Sequence, residues 1–108
     1  MMFQDKLLSF GNAVSDISGA VFHYRRSKLS PPYTVWQEED ADFLPADNSV
    51  AEQSPRGTLD YYTKQEYDPR VDEIQTVLAG IPVSWYLNSV QFEEDTGIIH
   101  YEWVWFWS

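Results

Sequence analysis

The chain has 108 residues, no cysteine and a formal net charge of −10 at pH 7, because 17 acidic side chains stand against only 7 basic ones. This length is typical of a single domain over residues 1–108, and the lack of cysteine excludes disulfides, thiolate catalysis and zinc–thiolate sites. The excess of acid disfavours general binding to DNA or anionic membranes, since like charges repel over about 8–10 Å at physiological salt.

The first part of the chain predicts a helix and two strands. Residues 2–18 carry apolar side chains at spacings of three and four, which places them on one face of a helix that Gly19 can end. Residues 20–25 predict a short strand, and residues 33–37 predict a second one, rich in aromatic and β-branched residues. Two consecutive prolines lie between these strands, and they predict a turn there because proline cannot extend a strand ladder.

The acidic segment 38–56 is the unusual part of the sequence. It contains two prolines and few apolar residues, which predicts a long loop, and loops of this length tend to be functional or disordered. A basic turn with Arg25, Arg26 and Lys28 precedes it. The simpler interpretation is that the basic turn and the acidic segment are both solvated surface. The more specific one is that the basic patch of one copy contacts the acidic patch of a neighbouring copy. The acids are Glu38, Glu39, Asp40, Asp42, Asp47 and Glu52.

The C-terminal half predicts a strand, a helix and a hairpin. Residues 57–63 form the third strand, and Asp68 can cap a helix that has proline at its first position and ends at Gly80. Residues 84–93 and 97–107 form the hairpin. The order α-β-β-loop-β-α-β-β predicts an α+β fold, with a mixed, mainly antiparallel sheet of four to five strands and two helices packed on one face.

The last strand alternates cleanly between two faces. One face carries Ile99, Tyr101, Trp103, Trp105 and Trp107, and such an apolar face must be covered by the helices or by another subunit. Five tryptophans are more than one small sheet layer usually hides. Both interpretations therefore stay open, and the three tryptophans of this strand are candidates for a subunit interface.

Recognisable catalytic motifs are absent from the sequence. It has neither a nucleophile elbow nor a glycine-rich phosphate loop, and 17 acids produce carboxylate pairs by chance. His23 and His100 could bind a metal with a nearby acid if their strands are adjacent, although ordinary strand histidines are more common. We expect no enzyme activity, no cofactor and no metal. We also expect no membrane helix and no signal peptide, because the apolar runs are too short.

Several short motifs after residue 19 follow one another in a recognisable order. They open the second strand, mark the acidic segment, end the third strand, begin the second helix and form the return strand of the hairpin. In chain order they are Pro31–Val35, Phe43 with Asp47-Asn48, Tyr62–Lys64, Asp68-Pro69 and Gly97–Glu102. With this set the chain resembles the tail-terminator (tail-completion, head–tail joining) proteins of siphophages and prophages.

The resemblance implies a structural protein that forms a ring, usually a hexamer, on the end of the tail tube. The implied partners are further copies of itself, the major tail tube protein and a head connector or neck protein, with DNA passing without specific binding. The implied location is the virion, after assembly in the host bacterial cytoplasm. Separate basic and acidic patches suit the head-to-tail contacts of a ring, and an acidic loop in the lumen would not retain DNA. Another neck or head-closure protein, or an acidic inhibitor or DNA mimic, stays open as an alternative.

Overall fold

Two helices and five strands make up the part of the chain that the structure, a computed structural model, describes: residues 2–25, 30–44 and 52–107. The predicted α+β fold and the order of helices and strands are confirmed, apart from the long loop. The elements are α1 (Phe3–Val14), β1 (Ala20–His23), β2 (Tyr33–Leu44), β3 (Glu52–Thr63), α2 (Pro69–Ala79), β4 (Val83–Glu93) and β5 (Ile98–Trp107).

The strands form one mixed sheet in the order β1-β2-β3-β5-β4. Only the β1–β2 pair is parallel, and the other three pairs are antiparallel. The two edge strands differ in length: β1 has four residues and β4 has eleven. Both helices contribute side chains to a single core on one face of the sheet, as predicted.

The core is built from large side chains of the central strands and the apolar faces of the helices. Phe10 of α1 stacks on Trp105 with ring centroids 4.0 Å apart and also contacts Trp36 at 5.2 Å. Burying one such side chain contributes about 1.5–3 kcal/mol. The buried apolar residues are Leu7, Phe10, Val14, Ile17, Trp36, Leu59, Tyr61, Ile74, Leu78, Ile81, Trp103, Trp105 and Trp107.

Glycine at position 11 allows α1 to lie close to the sheet. A Cβ atom on Gly11 would lie 2.9 Å from Cζ2 of Trp36, closer than real Cβ contacts come. The helix ends at Val14, earlier than the predicted residue 18, and successive turns carry the chain to Gly19, whose φ is +87°. Ile17 lies in those turns and is still buried, so the apolar spacing was correct beyond the end of the helix.

The prediction of a loop is wrong for residues 38–44 and 52–56, because β2 continues to Leu44 and β3 begins at Glu52, while residues 45–51 lie outside the described part of the chain. The two strands form a long hairpin with a bulge between Glu38 and Asp40. Polar side chains suit this pairing because the outer part of the hairpin has no third strand beside it among the described residues: β3 pairs with β5 only from Arg56 onward. Proline is tolerated at such an edge. We call the paired segments 38–44 and 52–56 the arm.

Candidate interaction surfaces

The basic turn is only partly within the described residues. Arg25 is exposed on the bend after β1, whereas Arg26 and Lys28 lie outside the part of the chain that the structure describes. Arg25 lines a concavity of about 340 Å³, shared with Tyr33, Tyr62 and Asp60. Its guanidinium is therefore available at the β1 edge of the sheet, where a negatively charged partner could contact it.

The tryptophans of β5 are core residues, which corrects their assignment to a subunit interface. Trp103 and Trp105 are 0% exposed and Trp107 is 8% exposed within a single chain. The helices provide the cover: Phe10 of α1 stacks on Trp105, and the indole N–H of Trp103 lies 3.3 Å from the amide oxygen of Gln75 on α2, to which it donates. At these three tryptophans, the apolar face that the sequence left open is thus covered by the chain itself.

Glu38, the first of the predicted acids, belongs to a cluster at the β1 edge. Its carboxylate accepts hydrogen bonds from Nε2 of His23, at 2.7 Å, and from the hydroxyl of Tyr24. Burial raises the pKa of Glu38, but these hydrogen bonds outweigh burial and lower its pKa overall, while the pKa of Tyr24 is raised. His23 stacks on Trp36 at 3.7 Å, so the cluster also covers one end of the core.

Four of the other five predicted acids lie in the paired strands of the arm and not in a loop. Both carboxylate oxygens of Asp40 accept hydrogen bonds from Arg56 at 2.7 Å, and this contact lowers the pKa of Asp40. Glu39 is exposed on β2. Asp42 lies in β2 and Glu52 begins β3, while Asp47 lies outside the described residues.

The long edge strand β4 carries an exposed apolar surface that the sequence reasoning missed. Leu87, Val90 and Phe92 are 41%, 52% and 63% exposed, although the register places them on the same sheet face as the core. Their cross-strand neighbours include Tyr101 and Ile99, which are only half-buried. The sequence did not reveal this surface, because a bulge between Leu87 and Ser89 interrupts the alternation of β4 side chains between the two faces of the sheet.

Polar and aromatic side chains form a connected row on the sheet face opposite the helices. Tyr33 stacks on Tyr62 at 4.8 Å, and Tyr62 stacks on His100 at 4.2 Å. Nε2 of His100 lies 2.7 Å from Oδ1 of Asp60, and Asp60 is the cross-strand partner of Glu102. The predicted alternation places His100 and Glu102 on one face, but only the register with β3 brings Asp60 beside them.

Comparison with known proteins adds no family to this picture. No model of a known protein family matches the chain, and no curated protein matches it. Among the residues that the structure describes, neither helix has the length and apolar character needed to span a membrane.

Proposed function

We propose that the protein is a ring-forming assembly protein of the tail-terminator type, which caps a siphophage or prophage tail tube and joins it to the head. The observation that carries the proposal is strand β4. It is an eleven-residue edge strand with exposed apolar side chains at Leu87, Val90 and Phe92. An edge of this length with an apolar surface favours association with another chain.

The charges at the two sheet edges support head-to-tail contacts between copies. The end of β4 and the turn that follows it carry exposed acids at Glu93, Glu94 and Asp95, and the bend after β1 carries exposed Arg25. These groups are at opposite edges of one sheet, so the acidic edge of one copy can meet the basic edge of the next. A contact between two different surfaces generates a closed ring when the rotation between copies is suitable.

The arm supports the same assignment. Its strands extend beyond the β3–β5 pairing, and the molecule measures 54 Å along its longest axis against 25 and 22 Å along the others. An elongated subunit of this kind can reach a neighbouring copy or the lumen of a ring. The net charge of −10 would let DNA pass through that lumen without being retained.

The internal pairing of the acids favours a ring subunit over a DNA mimic. A mimic must present free carboxylates in a row to a basic protein surface. Here Glu38 is bound by His23 and Tyr24, and Asp40 is bound by Arg56. Two of the prominent acids of β2 therefore already have hydrogen-bond partners within the chain.

The proposal is tested by the oligomeric state of the tag-free protein. Native mass spectrometry over a concentration series should detect a closed oligomer, with six copies as the expected number. Phe92→Glu should shift the population to monomer, because it places a charge in the apolar contact. Leu8→Glu is the matched control, since Leu8 is 65% exposed on α1 and Phe92 is 63% exposed on β4.

Two results would count against the proposal. One is a wild-type protein that stays monomeric at high concentration, both with and without tail tubes. The other is an equal loss of assembly in Leu8→Glu and Phe92→Glu. At the level of function, electron micrographs of tails assembled without the protein should show overlong tubes, and tubes of normal length would contradict a terminator role.

A further inference from the structure

Asp60, His100 and Glu102 form a compact set of metal-ligating side chains on the sheet face opposite the helices. Each offers one ligand atom, and these atoms all lie within 4.8 Å of one another. All three residues are half-buried, with side-chain exposures of 27% for His100 and 14% for Asp60. The set is therefore open to small ions on one side and supported by the sheet on the other.

The strand pairing fixes this arrangement. Asp60 on β3 is directly opposite Glu102 on β5, and His100 is two residues before Glu102 on the same strand. Because side chains alternate along a strand, His100 and Glu102 point to the same face, and the register adds Asp60 from the neighbouring strand. Three donors come from two hydrogen-bonded strands, so little backbone ordering is needed to bring them together.

Neighbouring side chains hold two of the three donors in place. The ring of Tyr62 stacks on the imidazole of His100 with an interplanar angle of 14°. The side-chain amide of Asn88, at the β4 bulge, donates a hydrogen bond of 2.8 Å to Oε1 of Glu102. Supporting contacts of this kind orient the ligands of metal sites and raise their affinity.

From this geometry we propose that Asp60, His100 and Glu102 bind one divalent transition-metal ion of the zinc class. An imidazole nitrogen with two carboxylate oxygens is a donor set that suits Zn²⁺ and related ions, whereas Mg²⁺ and Ca²⁺ prefer oxygen donors alone. A dication also offsets the charge of two adjacent carboxylates. In a tetrahedral zinc site with bonds of about 2.0–2.1 Å, the ligands lie about 3.3 Å apart. The 2.7 Å contact between His100 and Asp60 therefore has to open slightly and be replaced by bonds to the ion.

The second histidine of the chain provides an internal comparison. His23 also contacts a carboxylate, that of Glu38, at 2.7 Å. No third ligand residue joins this pair within the described ranges 2–25, 30–44 and 52–107. Two donors hold zinc far more weakly than three, so the two histidines of the chain are expected to differ sharply in zinc binding. The metal site does not depend on ring formation, and either proposal can fail without the other.

Isothermal titration calorimetry of the tag-free protein, stripped with EDTA and then dialysed free of it, tests the site with ZnCl₂. The expected result is one Zn²⁺ per chain with a micromolar or tighter Kd, and at least tenfold weaker binding of Mg²⁺. Absence of zinc binding, or equal affinity for Mg²⁺, would overturn the proposal. Zinc should also raise the thermal unfolding midpoint, because an ion that binds only the folded chain stabilises it.

Variants locate the ion. His100→Gln and Glu102→Gln should each weaken zinc binding at least tenfold, while His23→Gln should bind as the wild type does. Since a variant could lose binding by unfolding, the wild-type protein supplies an independent measurement. In ¹H–¹⁵N spectra of the two imidazole rings, zinc should shift the signals of His100 and leave those of His23 in place. Equal shifts of both rings, or zinc binding that survives His100→Gln, would contradict the assignment.

Discussion

The hydroxyl of Tyr61 on β3 donates a hydrogen bond of 2.6 Å to the carboxylate of Asp68, the residue that caps α2. The same carboxylate accepts a bond of 2.8 Å from Thr63 and one of 2.9 Å from the backbone N–H of Arg70. Asp68 is 4% exposed and Tyr61 is 1% exposed. One buried carboxylate thus joins the start of the second helix to the middle of the sheet.

Replacing this carboxylate should destabilise the protein strongly. Asp68→Ala removes the helix cap and takes away the acceptor for the buried hydroxyl hydrogens of Tyr61 and Thr63. A lost cap costs about 1 kcal/mol and a buried unpaired group about 1–3 kcal/mol, so we expect a loss of about 3 kcal/mol in the free energy of unfolding. Urea denaturation measures it. Asp72→Ala, an exposed change in the first turn of the same helix, is the control and should cost far less.

Stability should fall in acid because of the same residue. Burial raises the pKa of Asp68, but the hydrogen bonds from Tyr61, Arg70 and Thr63 outweigh burial and hold it below its ordinary value. A depressed pKa means that the stabilisation is present above the unfolded value of about 3.9 and is lost as the pH falls through the lower folded value. Urea denaturation midpoints measured from about pH 6 down to about pH 2, the range over which carboxyl groups titrate, should show this loss. If the urea midpoint of Asp68→Asn fell with decreasing pH as steeply as that of the wild type, the prediction would be contradicted.

Stability should also fall in alkali because of Tyr61. Burial, followed by the hydrogen bond to Asp68, raises the pKa of Tyr61 to about 12. A raised pKa means that the contribution is complete below the unfolded value of about 10 and is lost as the pH rises toward the folded value. The free energy of unfolding, measured across this pH range, should decline, and Tyr61→Phe should make the decline smaller. The exposed Tyr67→Phe is the control and should leave the decline unchanged.

Gly57 should not tolerate a side chain. A Cβ atom at this position would lie 1.9 Å from the backbone oxygen of Gln37, beside the bulge in β2. Because the obstacle is backbone, the strands themselves would have to shift, and we expect Gly57→Ala to cost at least about 2 kcal/mol. Gly80→Ala is the matched control, since the nearest atom is at 3.5 Å. Thermal unfolding of both variants checks the difference, and equal midpoints would contradict it.

Charge reversal at Arg25 should weaken assembly and spare folding. Arg25→Glu places an acid at the β1 edge, where the proposed ring brings the acidic β4 turn of the next copy. Sedimentation velocity should show a loss of the oligomer, and the free energy of unfolding should change by less than about 0.5 kcal/mol, as for most surface changes. Adding Glu94→Arg should restore assembly. Reversal at Lys64, which is also exposed, is the control; an equal effect there would argue against a specific contact.

The elements with strong local signals were the ones that the sequence predicted well. Asp68 and Pro69 mark the start of α2, and the structure places the helix there with Asp68 as its cap. The alternation of β5 correctly separated its two faces, but composition alone left the cover of Trp103 and Trp105 undecided. The helices decide it, because they meet the tryptophans across the core.

What the sequence could not provide was pairing between distant segments. The arm was predicted as a loop because prolines and acids are rare in central strands, whereas each strand in the outer part of the arm has only the other strand beside it among the described residues. The same limit applies to the candidate sites. Asp60 is 40 positions from His100, and only the β3–β5 register brings them to 2.7 Å. The exposed surface of β4 likewise depends on a bulge that no local pattern announced.

The close seating of α1 on the sheet gives the chain its own optical reporter. Phe10 contacts both Trp36 and Trp105, and Gly11 lets the helix approach the first of these indoles. If α1 separates from the sheet before the rest unfolds, water reaches two indoles that are at most 6% exposed in the folded chain. Tryptophan emission would then move to longer wavelength while the far-ultraviolet signal of the sheet persists. Release of the first helix can therefore be followed separately from unfolding, without an added label.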